Sequence, residues 1–250
     1  MRWVLGIEYD GTDFSGWQSQ NNRRTVQQAV EQAISQVANE DVSIFCAGRT
    51  DSGVHAEEQV IHFDTEVKRN ARSWIYGSNT NLPDDINVLW AKTVSADFHA
   101  RFSAVKRTYR YVILNRQIRS AINRHRETWY FKTLDAEKMH MAAQSLMGEH
   151  DFTSFRAVAC QANTPIRTIH LLNVSRKGDR IIIDISANAF LHHMVRNIVG
   201  VLLAIGNGDK DSQWCQQVLD AKDRTKAGVT ARGEGLFLTK VDYPSEFEIN

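Results

Sequence analysis

Trp3-Val4-Leu5-Gly6-Ile7-Glu8-Tyr9, the WVLGIEY stretch at residues 3–9, reads as a buried strand, and the order of elements that it opens decides the fold. Thr25-Val26-Gln27-Gln28 has the spacing of a capping box. It opens a helix whose apolar face is Val26, Val30, Ala33, Ile34 and Val37. Strands are predicted at 42–46 and 58–64, then a short helix over 71–78 that ends before Asn81-Leu82-Pro83, then a strand over 88–94. The order is βαββαβ. From about residue 105 it recurs: a strand at 107–114, a helix at 135–147 stopped by Gly148, and a hairpin of 168–175 and 181–187 turned at Lys177-Gly178-Asp179. A long apolar helix over 190–205 and a strand over 236–242 complete the second set. The predicted class is α+β, two tandem ferredoxin-like units of largely antiparallel sheet, with halves at 1–104 and 105–250. Their open sheet faces would form a shared cleft, a rigid platform for a large polymer.

Composition narrows the function classes. A chain of 250 residues with 42% hydrophobic and 24% charged residues is long enough for a sizeable core, and 3 prolines leave little room for a disordered linker. No run approaches a membrane span, and the start leads into a strand rather than a signal peptide, so a cytoplasmic protein is expected. Cys46, Cys160 and Cys215 form no CxxC pair, which argues against a disulfide framework and a zinc site. The net charge of +1 is uninformative, but cations cluster at Arg23-Arg24, at Lys106-Arg107 with Arg110, at Arg116 with Arg119, and at Arg124-His125-Arg126. The plain alternative for each cluster is a solvated surface of mixed charge.

The chemistry concentrates in Gly48 to Ala56, GRTDSGVHA, directly after the apolar run Val42-Ser43-Ile44-Phe45-Cys46. Arg49 and Asp51 stand two apart there, with Gly48 and Gly53 removing bulk on either side. Taken alone, Asp51 is either an Asx-turn residue or a catalytic carboxylate. In Arg107-Thr108-Tyr109-Arg110-Tyr111, strand alternation sends Arg107, Tyr109 and Tyr111 to one face. A ring flanked by arginines suits base stacking beside phosphates, although core tyrosines on strands are common. Arg196 interrupts an apolar helix, where it needs a carboxylate partner, and Asp51 would suit. Such a pair would orient the carboxylate and lower its pKa. His192 and His193 precede Arg196 by four and three residues, but no acidic or cysteine residue stands at ligand spacing, so no metal is expected. His55 reads as a phosphate contact or as loop packing, and Leu236 and Leu238 of Gly235-Leu236-Phe237-Leu238 as core or as an apolar wall for a base.

Five blocks, YDGTDFSGWQSQ at 9–20, GRTDSGVHA, RTYRYVI, NAFLHHMVRNIVG and GLFLTKVDYP, in this order and spacing, make the chain resemble the TruA family of bacterial transfer-RNA pseudouridine synthases from end to end. The resemblance implies two fused ferredoxin-like halves with a basic cleft, and conversion of uridine to pseudouridine at positions 38, 39 and 40 of the transfer-RNA anticodon arm. It implies no cofactor, and a homodimer as the working form. Carried onto this sequence, it makes Asp51 the catalytic carboxylate and gives Arg49 a part in handling the RNA and extruding the target base. Tyr109 becomes the ring that stacks on that base, Arg196 the partner of the aspartate, and either Leu236 or Leu238 the apolar side of the pocket. Arg23, Arg24, Lys106, Arg107 and Arg110 are the candidates for the RNA backbone.

Three other readings compete. A non-catalytic RNA-binding or RNA-chaperone protein would use the same cleft without turnover. A synthase directed at other RNA sites is disfavoured by the short, insertion-free chain. A hydrolase built on Asp51 with His55 or His192 lacks a nucleophile at sensible spacing.

Overall fold

The computed structural model describes residues 1–249 as an α+β protein, with ten strands and five α-helices among the described residues. By contacts the chain divides into two units, Met1–Lys106 with Phe237–Asn250, and Arg107–Leu236.

The first unit contains β1 (Arg2–Tyr9), α1 (Val26–Ala38), β2 (Phe45–Cys46), β3 (His55–Asp64), α2 (Ala71–Asn81) and β4 (Ile86–Val94). β1 lies between β3 and β4, antiparallel to both, and β2 pairs antiparallel with β3. Six of the eight residues of β1 are buried, as a strand flanked on both edges and covered on a face should be. The helices pack on one another, and α2 also packs on β4.

Two details depart from the sequence reading. The capping box does not form: the Thr25 side chain makes no cap hydrogen bond and its buried hydroxyl has no partner. The first helical amides are taken instead by carbonyls of the preceding turn, Val26 N–H donating to Gly16 O at 3.2 Å and Gln27 N–H to Trp17 O at 3.0 Å. The strand predicted over 42–46 shrinks to Phe45–Cys46. The reason is that Val42 and Ile44 donate their amides to side chains of α1, Ser35 Oγ at 2.9 Å and Glu31 Oε1 at 3.2 Å, and so leave the ladder.

The second unit holds β5 (Lys106–Asn115), β6 (Thr128–Tyr130), α3 (Ala136–Ala143), β7 (Gly148–Asp151), β8 (Ile166–Lys177), β9 (Arg180–Ala187), α4 (Met194–Gly206) and α5 (Trp214–Ala221). The strand order is β5-β9-β8-β7, antiparallel throughout, with β6 parallel to β5. α3 packs against β8, α4 and α5. The short strands β6 and β7 and the helix α5 are additions to the predicted order. The apolar helix begins at Met194 rather than 190 because His193 has a φ of 62°, outside the helical region, so His192 and His193 sit in the turn before the helix.

β10 (Leu236–Asp242) has the bounds read from the sequence. From Phe237 onward it belongs by contacts to the first unit, where it runs parallel to β3, Phe237 opposite His55 and Leu238 opposite Ala56. Its continuation is tied there too. Tyr243 donates to Ala100 O at 2.7 Å, and Phe98 packs on Tyr243 and Phe247 at 5.0 and 5.1 Å between ring centroids. Among the described residues no helix is long and apolar enough to cross a membrane.

Candidate active site

In the first unit the GRTD loop is held from beneath by the segment that comes after β1. Thr50 is buried between the Tyr9 hydroxyl, 2.8 Å from its Oγ1, and the Trp17 amide, which donates to its carbonyl at 3.0 Å. Gly16, at φ +87°, lets the chain pass close: a Cβ there would stand 2.8 Å from Thr50 O and 3.1 Å from the Asp51 carbonyl carbon. Ser52 donates to Phe14 O at 3.1 Å, and Val54 N–H to Asp51 O at 3.2 Å. Upstream, the buried Gln59 side chain amide brackets both backbone groups of Gly48. Asp51 is thus a half-buried carboxylate on a loop fixed at each flanking residue, and Arg49 beside it is exposed. Gly53 serves the backbone rather than access, since it has φ +73° and open space where a Cβ would be.

His55 is packing. Its ring is 2% exposed and stacks on Phe237 at 4.7 Å. Its Nδ1 accepts the Gly11 amide at 3.0 Å. Asp10 Oδ1 lies 3.1 Å from the same nitrogen, but an ion pair would need a proton there, and Gly11 N–H needs the lone pair. The amide bond prevails, because a buried backbone donor is seldom left unpaired. Burial pushes the Cys46 thiol up to about 12, with Arg49 acting in the opposite sense, so this cysteine beside the loop is an inert thiol.

In the second unit β5 presents the face that alternation predicts. Arg107, Tyr109, Tyr111 and Ile113 are buried opposite Ala187, Ile185, Ile183 and Ile181 of β9. Tyr109 meets Phe190 edge-on at 5.1 Å. Tyr111 is locked: its hydroxyl donates to Arg232 O at 2.8 Å, so the Thr128 hydroxyl, 2.7 Å away, must donate to it. Burial raises the Tyr111 phenol and keeps it neutral.

Arg196, half-buried in the first turn of α4, is aligned by the 228–231 segment. Its Nε–H donates to Ala231 O at 2.7 Å and its carbonyl accepts Ala231 N–H at 3.1 Å. That segment is clamped by Arg224, which donates to Gly228 O at 3.0 Å, Thr230 Oγ1 at 2.9 Å and Asn197 Oδ1 at 3.1 Å. Asn197, fully buried, also accepts from Thr230 at 2.7 Å and donates to Phe155 O at 2.7 Å. Sequence reading singles out Arg196 and passes over Asn197 next to it. The polar residue wholly inside this apolar helix is the asparagine, and its place there is the available signal.

The remaining predicted residues differ in burial and pairing. Leu236 and Leu238 are 5% and 0% exposed. Arg23 is exposed. Arg24 forms a two-pronged pair with Asp85 at 2.8 and 2.9 Å and lies over Phe14. Lys106 stands 3.4 Å from Asp242, and Arg110 pairs with Asp184 at 2.8 Å. Arg107 is buried and donates to Asn188 O at 2.8 Å, which makes it a strut of its own sheet face rather than a solvent-facing cation.

A family model described as tRNA pseudouridine synthase matches residues 6–103 and 142–244. The chain belongs to the tRNA pseudouridine synthase family. It is 57% identical over 249 residues to tRNA pseudouridine synthase A of Nitrosococcus oceani, covering 100% of this chain and 96% of the relative. The corresponding protein of Methylococcus capsulatus is 55% identical over 247 residues, at 99% and 91% coverage. Among solved structures, a chain from a Cbf5–Nop10–Gar1 complex aligns at a TM-score of 0.38 and 9% identity, over 94% of this chain and 57% of that one, a likeness too slight to argue from. The synthase is thus an isomerase acting on tRNA uridine.

Proposed function

We propose that this synthase converts uridine to pseudouridine at positions 38, 39 and 40 of the tRNA anticodon arm, without a cofactor and with Asp51 as its essential carboxylate. The observation that supports this most is the Gly48–Val54 loop. A half-buried aspartate stands on a backbone fixed by Tyr9, Trp17, Phe14 and Gln59, which is the preorganisation a nucleophile or general base needs. Tyr109 is the proposed stacking ring, Arg49 the residue that helps extrude the base, and Arg196 a further proposed substrate-binding residue. Leu236 or Leu238 supplies the apolar contact, and Arg23, Arg24, Lys106 and Arg110 are the proposed anchors for the RNA backbone, whereas buried Arg107 braces the strand that carries Tyr109.

In the reaction the C1′–N1 bond breaks, the uracil rotates and a C1′–C5 bond forms; C5 gives up its hydrogen as a proton to water and N1 takes one up, so the product is an isomer of the substrate. The target nucleotide must first leave its stem, at a cost of a few kcal/mol that stacking offsets. Two ferredoxin-like halves, 1–104 and 105–250, a homodimer and a cytoplasmic location complete the proposal. The β4-β1-β3 order with β2 on β3 supports the ferredoxin-like reading of the first half.

The test is tritium release from tRNA transcripts carrying uridine labelled at C5. Wild type should release the label and Asp51→Ala should not, while both bind tRNA with similar affinity. Release by Asp51→Ala would remove the aspartate from the chemistry.

A further inference from the structure

Outside the loop chemistry, the first unit carries an exposed ladder of rings. Phe45 and Phe102 are 53% and 76% exposed, a large apolar area to leave in water. Between them lies His99, 5.3 Å from the Phe45 ring and 4.4 Å from the Phe102 ring, while His62 stacks under Phe45 at 5.1 Å and 19°. The backbone beneath the ladder is tied down by hydrogen bonds. Phe45 is held in β2 opposite His62, whose Nδ1 accepts the Ala100 amide at 3.1 Å. His99 Nδ1 accepts the amides of Arg101 and Phe102 at 3.1 and 3.4 Å, its own amide donates to Ser103 Oγ at 2.9 Å, and Ser103 N–H returns to its carbonyl at 2.9 Å. Phe98, fully buried against Tyr243 and Phe247, supports the turn from behind.

Its charge suits an anionic chain with flat rings. The exposed Arg101 guanidinium lies 5.6 Å from the Phe102 centroid, and exposed Arg49 follows Phe45 by four residues in the chain. The neighbouring carboxylate of Asp64 is bridged by Arg2 at 2.6 and 2.9 Å. Phe45 precedes Gly48 by three residues, so the ladder continues into the Asp51 loop. Aromatic rings interleaved with arginine are what sequence-tolerant stacking of unpaired bases requires, and a ladder already ordered loses little entropy on binding.

We propose that Phe45, His99 and Phe102 form a base-stacking platform for an unpaired nucleotide neighbouring the target uridine. This rests on the reading that the loop beside it acts on tRNA.

The experiment uses tRNA transcripts with 2-aminopurine placed in turn at the unpaired positions flanking the target. They are bound by Asp51→Ala protein so that no turnover intervenes, with and without Phe102→Ala and Phe45→Ala. At one position the fluorescence should be quenched by the platform and recover when Phe102 and Phe45 are removed, with binding weakened about 5- to 150-fold, as stacking energies convert. Phe102 is 76% exposed, so Phe102→Ala should leave the melting temperature unchanged, while Phe45→Ala, which loses the ring stacked on His62, should lower it slightly. Unchanged fluorescence and affinity would overturn the platform, and so would a change in sedimentation of the RNA-free protein, which would make the patch an interface between copies. Tritium release by the wild-type protein from unsubstituted transcripts keeps the two failures apart. Its absence refutes the isomerase reading, whereas its presence with unaltered binding refutes the platform alone.

Discussion

Gly200→Ala, at a residue that is not itself a proposed substrate contact, should disable Arg196. A Cβ at this position would stand 1.8 Å from Val229 O and 3.0 Å from Val229 C. An ordinary contact requires the 228–231 segment to retreat by about 1.5 Å or more. The bonds that align Arg196, 2.7 Å from Nε to Ala231 O and 3.1 Å from Ala231 N, cannot survive that displacement. The Arg224 clamp on Gly228 and Thr230 is stretched as well. Overpacking costs about 1–3 kcal/mol and each of the two lost hydrogen bonds about 1 kcal/mol more, which amounts to a fall in melting temperature of roughly 6–20 °C. If Arg196 must be held in place for turnover, kcat/KM for tritium release should fall about 100-fold, as a 1 Å misplacement can cause. Gly206→Ala is the control on the same helix. Its Cβ would meet Met139 Sδ at 2.6 Å, the flexible part of a long side chain, and nothing of the 228–231 segment. It should melt slightly lower and turn over normally. Equal losses of turnover in the two variants would refute the alignment argument, and a Gly200→Ala protein that melts like wild type would refute the packing argument beneath it.

Burial, with His99 and Arg2 adding to it, holds His62 down to about 4, so the folded protein keeps this ring neutral while the unfolded chain protonates it near 6.5. The stability it contributes is therefore full above about pH 6.5 and is lost as pH falls towards 4, by roughly 2–3 kcal/mol. His62→Gln, which retains an acceptor for Ala100, should flatten that part of a denaturant-midpoint profile, and an unchanged profile would exclude His62. For tRNA binding, Arg23→Ala should lower the log–log salt slope by about 1. Arg24→Ala should lower it less, because Arg24 is already engaged with Asp85, and equal effects would show that this pair opens on the RNA.

The fold is legible in the sequence where burial imposes a period. β1, β5, β9 and β10 follow from runs that fill a sheet, and α1 from its apolar face, because one-sided burial is written into every residue of such elements. It is illegible where a backbone amide has two competent acceptors. Thr25 has the sequence of a cap, yet Gly16 and Trp17 carbonyls take the helix amides. Val42 and Ile44 have strand chemistry, yet Ser35 and Glu31 take theirs. Neither choice depends on local propensity, since both are made by a segment several residues away.

The candidate site divides along the same line. Asp51, Arg49, Tyr109 and Arg196 stand out because their residue types are conspicuous in their surroundings: a carboxylate among glycines, a ring among arginines, a cation in an apolar helix. The residues that hold them are mostly not conspicuous in that way, Asn197 in its apolar helix being the exception. Thr50 matters because Tyr9 and Trp17 converge on it, and Asn197 because Phe155, Arg224 and Thr230 do. Chemistry at a site can be carried by one side chain, and so one sequence can reveal it. Alignment is carried by several side chains brought together in folding, and only the folded chain shows which they are.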